Sequence, residues 1–300
     1  MPVLLLVVLL LVLAPAADAA AATPSITRAP VRTVHAGQGT IGYRAVGSGP
    51  PVVLVMGLSG TMDTWQPSFV DALAATHRVI TFDNEGIRRS TLGQGTLTIA
   101  RMGRDVASLI RALHLHRADV LGWSMGGMIA QALAHDHPEL VRRLVLCATA
   151  PGDGRATVPV TSIQEQLGAG DVAGLLGLLF PPGHDAVTNA YVKGILSFPH
   201  ALTTAPQSVI TLQLGAIARW LRGADPAGHP LGRLTLPVLV GAGARDRLLP
   251  VANARHLARA LPHARLLVYP GAAHGFLFQD QAAFLSQIRA FLRQRRPVGH

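Results

Sequence analysis

Short apolar runs alternate with helix-spaced apolar stripes along most of the chain. This alternation predicts an α/β fold, a mostly parallel, doubly wound sheet with helices on its faces. Pro51–Met56, Arg78–Phe82, Ala118–Gly122, Val141–Ala148, Pro237–Gly241 and Ala264–Tyr269 read as buried strands. Val31–Val34 and Thr40–Arg44 read as an opening antiparallel pair. Helical spacing runs through Trp65–Ala75, Met125–His135, Val251–Leu261 and a last stretch near Phe276–Arg293. In Thr98–Leu113 the residues Met102, Val106, Leu109, Ile110 and Leu113 share one face, the mark of an amphipathic helix.

The pattern breaks between residues 152 and 234, where helical stretches and loop signals occur without a clear buried strand. The expected organisation is a core of residues 31–151 and 235–300 with a helical cap, 152–234, inserted in it. Ahead of the core, Val3–Leu13 is unbroken and apolar, and Ala14-Pro15-Ala16-Ala17-Asp18-Ala19-Ala20 follows. An apolar stretch followed by an Ala-x-Ala site reads as a signal peptide cleaved after Ala19, with residues 1–30 as leader. That implies a secreted or periplasmic protein. The stretch before the apolar run has no Lys or Arg, which leaves an uncleaved N-terminal membrane anchor as the alternative. A stable membrane span, which needs about 20 apolar residues, is not expected.

Composition narrows the classes. Hydrophobic residues make up 49% of the 300, ample for a core. The formal charge of +10 comes almost wholly from Arg, Lys193 being the only Lys. The basic residues form no dense or aromatic-interleaved run, so nucleic acid is not an expected partner. Cys147 is the only cysteine, which excludes an internal disulfide and a four-cysteine zinc site. It lies in an apolar run and reads as a buried small hydrophobe. No metal or other cofactor is expected.

Gly122-Trp123-Ser124-Met125-Gly126-Gly127 places G-x-S-x-G directly between a predicted strand and a predicted helix. A sharp strand-to-helix turn projects the serine hydroxyl above the sheet edge, and the helix N-terminus favours a developing oxyanion. Ser124 is therefore the candidate nucleophile. His274, in the loop after the last strand, is the candidate base, ahead of His256, His263 and His300. Asp246, after the preceding strand, is the candidate orienting acid, with Asp153 as its substitute. The oxyanion donors expected are the backbone N–H groups of Met125 and Leu58. Gly57, Trp123 and Phe276 are expected to line the substrate pocket.

With these blocks in place the chain resembles the α/β-hydrolase superfamily over nearly all of its length after the leader. The resemblance rests on VMGLSG (55–60), FDNEGIRRS (82–90), GWSMGG (122–127), GARDRLLP (243–250) and GAAHGF (271–276), in that order. It implies the triad Ser124, Asp246 and His274. Two departures stand out. Many relatives have His where this chain has Met56. Many have Arg and Gly where this chain has Glu85 and Arg88. The expected activity is hydrolysis of a small to medium, largely apolar carboxylic ester through an acyl-enzyme, the partner being that small molecule. Perhydrolysis of the cofactor-free haloperoxidase type, or lactone or carbon–carbon bond hydrolysis, are alternatives on the same triad. A catalytically inactive binding module is the alternative from another class.

Overall fold

The computed structural model describes residues 25–294 except 162, 164–171, 200, 202 and 229. Its frame is one eight-stranded sheet with the order β1-β2-β4-β3-β5-β6-β7-β8. The opening hairpin, β1 (Arg32–Ala36) and β2 (Gly39–Val46), is antiparallel and also joins β4 (Arg78–Phe82) antiparallel. All remaining pairings are parallel, through β3 (Pro51–Val55), β5 (Ala118–Trp123), β6 (Val141–Cys147), β7 (Val238–Gly243) and β8 (Ala264–Tyr269). β5 is buried at every position, as its near-continuous apolar sequence requires of a strand covered on both faces.

The helices follow from their sequences. α1 (Pro67–Ala74) begins with Pro at its first position, where no amide partner is lost. α2 (Ile99–Ala112) starts at Thr98, whose side chain accepts from Arg101 N–H and caps the first turn. Its stripe of Met102, Val106, Leu109 and Ile110 is buried, while Leu113 caps the end half-buried. α3 (Met125–Asp136) is buried from Met125 to Ala134, because it lies against the centre of the sheet. Between β6 and β7 lie α4 (Val172–Leu179), α5 (Asp185–Leu196) and α6 (Gln207–Leu221), with no strand among the described residues. After β7 come α7 (Val251–Ala260), α8 (Phe276–Gln279) and α9 (Gln281–Arg293). The single last helix expected from the sequence is thus broken at Asp280, whose φ of −104° and ψ of 37° leave the helical region.

The body also begins earlier than the expected boundary at residue 31. Ile26 is fully buried in the core, and its N–H donates to Asp71 Oδ1 at 2.7 Å. An apolar side chain at that position gains by packing, so the last residues of the expected leader belong to the fold. The apolar run Val3–Leu13 and the cleavage site after Ala19 lie outside the described residues. No described helix is long and apolar enough to cross a membrane.

The sheet order fixes where a site can form. β3 connects onward to β4 on one side and is flanked by β5 on the other, so the crossovers leave in opposite directions there. Crevices at the C-terminal ends of strands open at such switch points. The loops after β3, β5, β6, β7 and β8 all emerge on this edge.

Candidate active site

Ser124 sits between β5 and α3 with φ 59° and ψ −126°. A side chain at positive φ costs on the order of 1–3 kcal/mol and survives only where its surroundings enforce it. Three hydrogen bonds do so. Ser124 N–H donates to Cys147 O at 2.9 Å, and Ser124 O accepts from Gly127 N–H at 2.9 Å and from the Thr149 hydroxyl at 2.8 Å. The bend also needs α3 close to the sheet. A Cβ on Gly126 would lie 2.0 Å from Val55 O, so only glycine permits that approach.

The loop after β3 runs beside this serine. A Cβ on Gly57 would stand 3.0 Å from Ser124 Cβ and 3.5 Å from its Oγ. Gly57 therefore faces the hydroxyl, and Leu58 follows it. Met125 opens α3, where a helix leaves its first N–H groups without internal acceptors. Among the described residues neither the Leu58 nor the Met125 amide has a hydrogen-bond acceptor. Ser59 adopts φ 57°, and its N–H donates to Gln213 Oε1 at 2.9 Å. Asn84 Nδ2 donates to Met56 O at 2.9 Å and ties the start of the loop to β4's end.

Asp246 and His274 meet in the loops after β7 and β8. His274 Nδ1 is 2.8 Å from Asp246 Oδ2, and the other carboxylate oxygen accepts from Leu248 and Leu249 N–H, each at 2.9 Å. Both residues are buried, His274 at 2% exposure and Asp246 at 5%. The Trp123 indole, next in chain to Ser124, donates to His274 O at 3.0 Å with the two rings 5.7 Å apart. This bond joins the serine bend to the histidine loop. Asp153 bonds His256 instead, 2.6 Å from its Nε2, so the substitute acid is engaged elsewhere.

The turn that departs from the family pattern has its own ion pairs. Arg88 takes φ 48° and places Nη1 2.6 Å from Asp63 Oδ2, while Arg44 Nε binds Asp63 Oδ1 at 2.8 Å. Glu85 pairs with Arg101 in a buried contact and accepts from Gly93 N–H at 2.6 Å. The charge inverted at Glu85 is thus met by an opposite charge from α2.

Two expected pocket residues are buried. Phe276 is 0% exposed and packs against Tyr269 and Phe284, ring centroids 5.2 and 4.9 Å away. An aromatic at the start of α8 faces the core there, so its ring is no pocket wall. Trp123 is also buried, against Trp65 and Phe278, and serves as the brace to His274. Sequence reasoning missed Thr149 and Gln213, since no motif marks a threonine after β6 or a glutamine within a helix. Cys147 is fully buried, and burial pushes its thiol well above the ordinary range, so it is an inert core residue.

Comparison with known proteins agrees with this architecture. Residues 50–178 match the alpha/beta hydrolase fold family, and residues 219–297 match the TAP-like protein family. A Mycobacterium tuberculosis protein bearing the provisional name non-heme bromoperoxidase BpoC is 33% identical over 261 residues, covering 84% of this chain and 97% of its own. A protein of Azorhizobium caulinodans provisionally named carbamate hydrolase RutD is 31% identical over 248 residues, covering 81% of this chain and 91% of its own. The solved α/β-hydrolase fold protein from Chitinophaga pinensis superposes with a TM-score of 0.80 at 27% identity, covering 90% of this chain and 99% of that one. On the sheet order, the strained serine bend and these likenesses together, the chain belongs to the α/β-hydrolase fold family.

Proposed function

We propose that the chain is a serine hydrolase that cleaves a small to medium, largely apolar carboxylic ester through an acyl-enzyme. The observation that carries this reading is the Asp246–His274 pair. A carboxylate on Nδ1 keeps the ring proton there and leaves the Nε2 lone pair free to act as base. In this reading Nε2 takes the Ser124 hydroxyl proton as Oγ attacks the ester carbonyl. The oxyanion is met by the Leu58 and Met125 N–H groups. The imidazolium then protonates the leaving alcohol, and water, deprotonated in turn by His274, frees the acid.

The test combines a fluorophosphonate probe with a panel of p-nitrophenyl esters of increasing acyl length. Labelling and turnover in the wild type, both absent in Ser124→Ala, support the reading. Labelling that persists in Ser124→Ala overturns it.

Perhydrolysis is the second reading, favoured by the provisional name of the mycobacterial relative. Peroxide with acetate, compared with ester hydrolysis on the same preparation, separates the two. Residues 152–234 are proposed to act as a cap over the site. The N-terminal apolar run is proposed to direct export, which fractionation of the expressing cell would test.

A further inference from the structure

Gln213 is 0% exposed, lies on α6 and reaches the loop beside Ser124. Its carboxamide has one acceptor and one NH2 group. The Ser59 N–H can only donate, so the oxygen must be the atom facing it, at 2.9 Å. The amide is thereby oriented without ambiguity, and Nε2 is turned to the other side. That Nε2 is buried and has no hydrogen-bond partner among the described residues. A buried donor without an acceptor costs on the order of 1–3 kcal/mol. Such an orphan, on the carboxamide whose oxygen holds the amide next after Leu58, is expensive for a chain with no use for it.

We propose that Gln213 is a positioning and specificity residue. Its Oε1 holds the Ser59 amide and so aims the Leu58 N–H. Its Nε2 donates to a hydrogen-bond acceptor on the substrate, an ether, carbonyl or hydroxyl oxygen near the scissile ester. The preferred ester then carries one acceptor oxygen in an otherwise apolar frame. This rests on the serine-hydrolase reading and sharpens its substrate class. The location supports it. Ser59 is held at φ 57°, a conformation that needs an external tie, and Gln213 is the side chain that supplies it. α6 is anchored by Trp220, whose indole donates to Ala150 O at 3.1 Å, so the glutamine rides on a fixed helix.

The test uses the full chain and two nearly isosteric esters, p-nitrophenyl butyrate and p-nitrophenyl methoxyacetate, which differ by CH2 against O. Three proteins are compared: wild type, Gln213→Glu, which keeps an acceptor for Ser59 but loses the donor, and Gln213→Met, which loses both. The readout is the ratio of kcat/KM for methoxyacetate over butyrate, each corrected for its spontaneous hydrolysis rate. The ratio is expected to fall about 10-fold in both variants relative to wild type. Butyrate turnover alone is expected to fall further in Gln213→Met than in Gln213→Glu. Ratios unchanged in both variants overturn the substrate contact. Equal butyrate turnover in wild type and Gln213→Met overturns the loop-holding role. Fluorophosphonate labelling of Ser124 in each variant reports the intact site separately. Labelled protein with an unchanged ratio is therefore a failure of this inference, whereas absent labelling of the wild type is a failure of the hydrolase reading.

Discussion

Asp246 holds His274 by its Nδ1 at 2.8 Å, and two backbone amides fix the far oxygen of the same carboxylate. The imidazole is thereby set in one tautomer and one orientation. Asp246→Asn should lower kcat by about 10²–10⁴-fold, because an amide NH2 toward Nδ1 favours the wrong tautomer. Asp153→Asn should change kcat by less than about twofold, its partner being His256. Steady-state kinetics on one p-nitrophenyl ester checks both, and a large loss in the Asp153 variant alone would reassign the acid.

The strain at Ser124 can be read independently of turnover. Ser124→Ala keeps a Cβ at φ 59°, whereas Ser124→Gly removes it. The glycine variant should be more stable than the alanine variant by about 1 kcal/mol, a rise of roughly 2–4 °C in Tm. Both should be inactive. Thermal melts of the two purified proteins decide it, and an alanine variant as stable as the glycine one would deny that the bend is strained.

Much of the fold was legible because most of the parallel strands are compact apolar runs closed by a turn residue. The strand Ala264–Tyr269 matches its observed bounds residue for residue. The hydrogen-bonded pairing of Asp246 with His274 was legible too, since chain order and loop position narrow thirteen histidines to one. The rest depends on contacts between residues far apart in sequence. Nothing around Phe276 says that Tyr269 and Phe284 enclose it. Nothing around Gln213 says that Ser59, more than a hundred residues earlier, takes its oxygen. The break at Asp280 was hidden because the apolar spacing continues across it.

Arg88 occupies positive φ, a conformation that favours glycine, and its guanidinium binds buried Asp63. Two terms of opposite sign meet there. Arg88→Ala keeps the strained backbone and loses the ion pair, though Arg44 still faces Asp63, so a loss of about 2 kcal/mol is expected. Arg88→Gly loses the same ion pair but relieves the backbone, and should be less destabilised than the alanine variant by about 1 kcal/mol. Urea unfolding of the two variants measures the difference. A glycine variant below the alanine one would mean the turn is not strained at this residue.

Asp83 closes β4, with Oδ1 accepting from Met62 N–H at 2.7 Å and Oδ2 without a hydrogen-bond partner among the described residues. Burial pushes its carboxyl from 3.8 up to about 6, with Asp63 adding to the rise, while the Met62 amide, Arg88 and Arg44 oppose it. The native state therefore holds a proton that the unfolded chain has already released between about pH 4 and pH 6. Unfolding in that window releases the proton, so this group's contribution to stability falls as pH rises through it and is level above about 6. The full change is on the order of 3 kcal/mol. Asparagine keeps the acceptor for Met62 and cannot ionise, so Asp83→Asn should remove this slope. Urea unfolding of wild type and variant at several pH values across the window reads it as a difference, in which the other carboxylates cancel. The variant should gain on the wild type with rising pH up to about 6 and hold a constant offset beyond. Parallel curves throughout would mean that Asp83 titrates at its ordinary value in the folded protein.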